Sequence, residues 1–178
     1  MIQDTRGRNL GATKLSGIDF GVNYVRETSF GSIDASVAGN VRLTQDTRPS
    51  PIAAVIPELD TENPKFRTQA TLGANVGGFR GQATWNHVAG YDRSGGAAAV
   101  ANFGQGRVGA FNTVDLFFKY DVPGDGIADG LSFTLNVQNV LDEDPPVVKS
   151  SASGAPGFDP NLAFTLGRQI QIGVRKKF

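Results

Sequence analysis

The sequence predicts an all-β chain, an antiparallel transmembrane β-barrel segment of about seven strands with short turns at one end and long loops at the other. Three observations carry that prediction. Apolar and polar residues alternate with period two along much of the chain, the pattern of strands with one greasy and one wet face. Most alternating stretches run to about 10 to 14 residues, where strands of soluble proteins run to about 5 to 6 and tilted membrane strands to about 9 to 11. The connections alternate short and long.

In chain order, Ile18, Phe20, Val22 and Tyr24 alternate with Asp19, Gly21 and Asn23, and Ile33, Val37, Val41 and Leu43 with Asp34, Ser36, Asn40 and Arg42. Two weaker strands follow. One runs from about Phe66 to Val76, with Leu72 and Val76 against Arg67, Gln69 and Asn75; the other runs from about Phe79 to Tyr91, with Ala83 and Trp85 against Arg80, Gln82 and Thr84. Val114, Leu116, Phe118 and Tyr120 then oppose Thr113, Asp115 and Lys119, Phe117 being the exception. Leu131, Phe133, Leu135 and Val137 oppose Ser132, Thr134, Asn136 and Gln138. The last stretch, Arg168 to Phe178, sets Ile170, Ile172, Val174 and Phe178 against Gln169, Gln171, Arg175 and Lys177.

Short connections at Arg26 to Gly31, Gly77-Gly78 and, somewhat longer, Asp121 to Gly130 alternate with long ones at Gln45 to Asn63, Asp92 to Gly109 and Asp142 to Gly167. Outer-membrane barrels have short periplasmic turns and longer extracellular loops. With the C-terminus periplasmic, the final strand descends and every long connection falls outside. Ile18, Phe20, Val22, Val114, Leu116, Phe118, Leu135, Val137, Ile170, Ile172 and Val174 are then expected to face outer-membrane lipid. Tyr24, Tyr120, Phe133 and Phe178, with Phe30 and Phe79, gather near the periplasmic ends, where an aromatic girdle meets the headgroups.

Composition narrows the function classes. No window approaches the roughly 18 consecutive apolar residues of a spanning helix, the nearest runs being Pro51 to Pro57 and Ala97 to Phe103. Lys plus Arg and Asp plus Glu both number 17, so no net field draws in nucleic acid. The absence of cysteine removes disulfide, thiolate and zinc-cluster chemistry. Twenty-three glycines suit turns and closely packed strands. Met1 to Arg6 has no basic start followed by an apolar segment, so it does not read as a secretory signal.

Several motifs invite a site and fail on context. Gly104-Gln105-Gly106-Arg107-Val108-Gly109 matches the dinucleotide fingerprint, which needs a strand before it and a helix after it; a strand pattern follows, and a flexible glycine-rich loop is the expectation. Asp121, Asp125 and Asp129 suggest calcium, but Pro123 and Ser132 occupy places where an EF-hand loop needs acids, leaving a solvated turn. Asp142, Glu143 and Asp144 form a dense acidic run, read as a solvated loop entrance ahead of a cation site. His87 is the sole histidine, so neither a metal set nor a catalytic triad has its members, and no GxSxG elbow is present. No enzyme chemistry and no cofactor is expected.

The residues resemble the TonB-dependent outer-membrane receptors over nearly the whole chain, most closely from about Val108 onward. Val114-Asp115-Leu116 followed by Tyr120 is similar to that family's antepenultimate strand, and Leu135-Asn136-Val137-Gln138-Asn139-Val140-Leu141-Asp142 to its penultimate one. Asp144-Pro145-Pro146 resembles the opening of the last loop, and Gly167-Arg168 with terminal Phe178 the ending. Gln171, Gly173 and Phe178 resemble the signal read by the barrel-assembly machinery; Lys176 departs from it, at a rim where a lysine can snorkel. Gly17-Ile18-Asp19-Phe20 and Asn63-Pro64-Lys65-Phe66 resemble strand openings.

The resemblance implies the last strands of a 22-stranded barrel in the outer membrane of a Gram-negative bacterium. It also implies TonB-energised uptake of a scarce nutrient such as siderophore-bound iron, cobalamin or a carbohydrate. Residues 1–178 are then expected to be a C-terminal barrel fragment, with signal peptide and N-terminal plug absent, reaching the TonB complex only through the absent part. Such a fragment is not expected to transport alone, and its substrate-binding residues are unknown. Two other readings stay open at this point: a small complete outer-membrane barrel with a structural or adhesion role, and a soluble β-sandwich module that binds carbohydrate.

Overall fold

The computed structural model describes residues 11–61, 63–94, 96–124, 126, 128–150 and 153–177. Asp125 and Phe178, named above for the turn, the girdle and the assembly signal, lie outside them. The chain runs β1 (Ala12–Thr28), β2 (Gly31–Arg48), β3 (Ile56–Pro57), β4 (Phe66–Val76), β5 (Phe79–Val88), β6 (Tyr91–Asp92), α1 (Ala97–Phe103), β7 (Arg107–Val108), β8 (Phe111–Asp121), β9 (Leu131–Gln138) and β10 (Gln169–Lys176).

Among the described residues the main sheet has the order β1-β2-β4-β5-β8-β9-β10, every pairing antiparallel, with β3 added beside β2. This is the up-and-down meander that the alternating loop lengths predict. The sheet is open, since β1 and β10 lie at its two ends and do not pair with each other.

Register sorts the faces. Tyr24 pairs with Ala35, Ala35 with Leu72, Leu72 with Ala83, Ala83 with Leu116, Leu116 with Val137 and Val137 with Ile170. This row starts near the turn end of β1 and finishes near the loop end of β10, so successive strands are staggered in one direction, as tilted barrel strands must be. Every member is apolar apart from the Tyr24 hydroxyl. The opposite face carries Asp34, Arg67, Gln69, Thr71, Arg80, Gln82, Thr84, Asn86, Thr113 and Asp115 at the intervening positions.

The structure departs from the predicted pattern at three places. β5 stops at Val88, and Tyr91 begins a separate small hairpin in which β6 pairs with β7. β2 carries a bulge: Ser16 pairs with Thr44 while Gly17 pairs with Arg42, which leaves Leu43 without a partner in β1. A Cβ on Gly17 would lie 2.8 Å from the Val41 carbonyl oxygen, so the glycine of the Gly17-Ile18-Asp19-Phe20 opening is required by close backbone approach. The third departure is α1, a short helix inside the loop expected to be flexible.

Among the described residues no second sheet covers the apolar face, because the other sheet has only β6 and β7. Ile18, Val22, Leu72, Ile170, Ile172 and Val174 are all more than half exposed. The buried apolar residues Tyr91, Ala99, Val108 and Phe111 sit instead at the loop end. A soluble β-sandwich would place its core between two sheets; this chain puts it beneath its loops.

Candidate functional site: the polar face and its loop cap

Strand β5 carries the spine of the polar face. The Arg80 guanidinium forms a two-point ion pair with Asp34 on β2, its Nη2 lying 2.9 Å from Asp34 Oδ2, and also donates to Gln82 Oε1 at 2.9 Å. Gln82 donates to Thr84, whose hydroxyl lies 3.2 Å from that of Thr71 on β4. Toward the loop end, Gln69 donates to Asn86 at 2.7 Å, and Asn86 donates to Asp115 at 2.9 Å and to Thr113 at 3.2 Å. Asp115 in turn accepts the backbone N–H of Asn139 at 2.8 Å. Alternation placed these side chains on one face; antiparallel register made them neighbours and gave each a partner.

Asn139 is fully buried and lies in the left-handed region, at φ 49°. Its side-chain amide donates to the Glu143 carbonyl and accepts the Glu143 N–H, both at 2.9 Å. Asp142, also at positive φ, accepts the Arg168 N–H at 2.7 Å, and the Arg168 guanidinium comes within 3.8 Å of it. The Asn139 to Asp142 signature is therefore a turn lock that sets the last loop above β9 and β10. In the acidic run, Asp142 is committed to Arg168. At the turn end, Asp121 is taken by Lys119 at 2.7 Å.

The three long loops close on one another above the polar face. The Asp92 N–H donates to the Asp60 carbonyl at 2.7 Å, and Arg107 pairs with Asp92 at 2.6 Å. Tyr91 donates its hydroxyl to Asp159 at 3.3 Å. Gln105 donates to the Val147 carbonyl and accepts the Lys149 N–H. Phe164 packs edge-on against Phe111, ring centres 5.7 Å apart. Leu162 and Phe164 join Asn86, Phe111, Thr113 and Asp115 around a recess of about 280 Å³ at the loop end of the polar face. Helix α1 lies in this cap, its last turn closed by Gly104 in the left-handed conformation. Gly104 thus ends a helix, the reverse of the order a dinucleotide fingerprint needs. The run of alanines and the glycine after Phe103 were the signals that could have revealed the helix.

On the apolar face, Ile18, Val22, Ile170, Ile172 and Val174 are exposed, Phe20 is 37% exposed, and Val114, Leu116, Phe118 and Leu135 are half-buried among neighbouring strands. Val137 differs: between Leu116 and Ile170 it is 9% exposed and presents little surface. Phe79, Tyr120 and Phe133 form a continuous row near the turn end, with Tyr24 on the same face. Sequence reading missed a second aromatic group near the loop end. Phe20 stacks on Phe66 at 6.3 Å, Phe66 meets His87 at 5.7 Å, and His87 meets Trp85 at 5.4 Å. His87 Nδ1 lies 2.8 Å from Asn112 Oδ1, so the one histidine serves this outer cluster.

In the last strand, Gly173 faces Thr134 on the polar side, with Gln171 one dyad away opposite Asn136. Lys176 shares the apolar face with Val174, and its ammonium donates to the Asp129 carbonyl in the adjacent turn.

The sequence matches the family model described as TonB dependent receptor-like, beta-barrel, over residues 2–140. That match ends before β10, whose place in the sheet rests on its pairing with β9. No curated protein and no solved structure matches the chain.

Proposed function

The chain belongs to the TonB-dependent receptor-like β-barrel family, and from that premise we propose that it forms part of a receptor that takes up a scarce nutrient across the outer membrane of a Gram-negative bacterium. Candidate nutrients are siderophore-bound iron, cobalamin or a carbohydrate. The observation that carries this reading is a single sheet with an uncovered apolar face, a hydrogen-bonded polar face and a loop cap over one end of the polar face. In lipid, unpaired strand edges are costly, so β1 and β10 must find partners. The seven up-and-down strands among the described residues would meet their own ends in parallel, so a further odd number of strands completes an antiparallel barrel. The sheet then belongs to a larger barrel; the family resemblance implies 22 strands and an N-terminal plug, through which energy from the TonB complex would reach it.

Ile18, Phe20, Val22, Val114, Leu116, Phe118, Leu135, Ile170, Ile172 and Val174 face lipid in this arrangement, with Val137 in the wall between them. Tyr24, Tyr120, Phe133 and Phe178 mark the periplasmic girdle, and Gln171, Gly173 and Phe178 the segment read by the barrel-assembly machinery. The test is reconstitution of the 178-residue chain in planar bilayers alongside labelled uptake by cells carrying the complete receptor. The chain alone is expected to give no conductance, and cellular uptake of one of the three nutrient classes is expected to stop with a protonophore. A stable barrel with its own conductance, or uptake indifferent to the protonophore, overturns the proposal.

A further inference from the structure

Arg42 and Arg67 stand apart from the satisfied network of the polar face. The register that pairs Asn40 with Arg67 makes Arg42 the diagonal neighbour of Arg67, close enough for the two charges to repel. Among the described residues Arg42 is bonded through its side chain to neutral amides, Gln45 at 3.0 Å and Asn63 at 3.4 Å. Arg67 keeps a buried Nε–H without a hydrogen-bond partner. Among the described residues no carboxylate lies within ion-pair distance of either guanidinium. Asp159, whose charge reaches Arg67, is engaged by the Tyr91 hydroxyl. Both arginines line an open recess of about 450 Å³ together with Asn40 and Asp19.

We propose that Arg42 and Arg67 form an oxyanion subsite on the polar face, for a solute that carries a carboxylate or phosphate group. The inference rests on the reading of that face as the lumen of an uptake barrel and adds a substrate class to it. Adjacent guanidiniums repel when empty, and an oxyanion relieves the repulsion while accepting N–H donors from both. Asp19, held by Asn40, keeps acceptor capacity for a hydroxyl or amide of the same solute.

The test is phenylglyoxal modification of the full chain in membranes, read arginine by arginine by peptide mass spectrometry, with citrate, inorganic phosphate or the neutral sugar raffinose present. Citrate or phosphate is expected to slow modification of Arg42 and Arg67 several-fold, raffinose to leave both unchanged, and exposed Arg175 to be unaffected by any of them. Arg42→Gln is expected to raise the citrate concentration that protects Arg67 about tenfold, and Arg42→Lys by less. Unchanged rates at Arg42 and Arg67, or equal slowing at Arg175, overturns the subsite. Protection that persists in a chain shown not to insert in lipid would leave the subsite standing and overturn the uptake reading.

Discussion

Asp34 on β2 and Arg80 on β5 meet across the intervening strand β4, through the space left by Gly73. Gly73 pairs with Asp34 on one side and Gln82 on the other, and a Cβ added to it would collide with the Arg80 guanidinium. The ion pair therefore ties three strands with one contact. Its side chains are 23% and 28% exposed on a face open to water, so its worth is that of a partly screened pair. Asp34→Ala is expected to destabilise the folded chain in detergent micelles by about 1 kcal/mol, followed as the urea midpoint. Gly73→Ala is expected to abolish the further effect of Asp34→Ala, because it has already displaced the partner. Fully additive effects would show that the pair does not pass over Gly73.

Trp85 is the sole tryptophan, and it lies on the apolar face, paired between Ala70 and Val114 and 41% exposed. Its fluorescence therefore reports which face meets lipid. In bilayers the emission is expected to shift to the blue and to be quenched by lipids brominated on their acyl chains near the headgroup. Emission typical of bulk water, untouched by brominated lipid, would place this face in solvent and remove the basis for the lipid-facing assignments.

The fold was legible wherever one strand face is apolar and the other polar, because only there does period two survive in the sequence. The stretch read as about Phe66 to Val76 coincides with β4, and the alternating residues from Leu131 to Gln138 coincide with β9, for that reason. β1 extends well beyond Ile18 to Tyr24, since Lys14 and Ser16 continue its hydrogen bonding beyond the apolar band. The loop cap left no periodic trace. Tyr91 and Asp159 are 68 residues apart, and a contact of that kind depends on how loops fold over the strands between them. Arg42 and Arg67 were each placed on the polar face from alternation, but their adjacency is a product of the β2 and β4 register, which no local pattern encodes.

Asn139 gives a sharp test of the turn lock. Its left-handed backbone disfavours alanine, and its amide group satisfies both the N–H and the carbonyl of Glu143. Asn139→Gly keeps the backbone conformation and loses both bonds; Asn139→Ala loses the bonds and adds strain. The glycine variant is expected to cost about 1 to 3 kcal/mol for the stranded backbone groups, and the alanine variant about 1 kcal/mol more. Limited proteolysis should detect both as faster cleavage within residues 142–167. Equal stability of the two variants and the parent would mean that the last loop is held elsewhere, for instance by Phe164 on Phe111.

Lys176 is the residue at which the final strand departs from the assembly signal that its sequence resembles, and its surroundings suit a lysine there. It sits on the apolar face in line with Ile170, Ile172 and Val174, but at the turn end, where its ammonium donates to the Asp129 carbonyl. A charge near the interface costs about 0 to 1 kcal/mol, far less than at the bilayer midplane. Replacing it therefore changes stability little, and the larger effect falls on recognition of the strand. Lys176→Leu is expected to speed insertion by purified barrel-assembly machinery in proteoliposomes while shifting the urea midpoint only slightly. Lys176→Glu, which loses the bond to Asp129 and sets a carboxylate beside that carbonyl, is expected to slow it. The measurement is the rate at which protease-resistant chain accumulates, and equal rates for the leucine variant and the parent would show that the assembly machinery does not read this position.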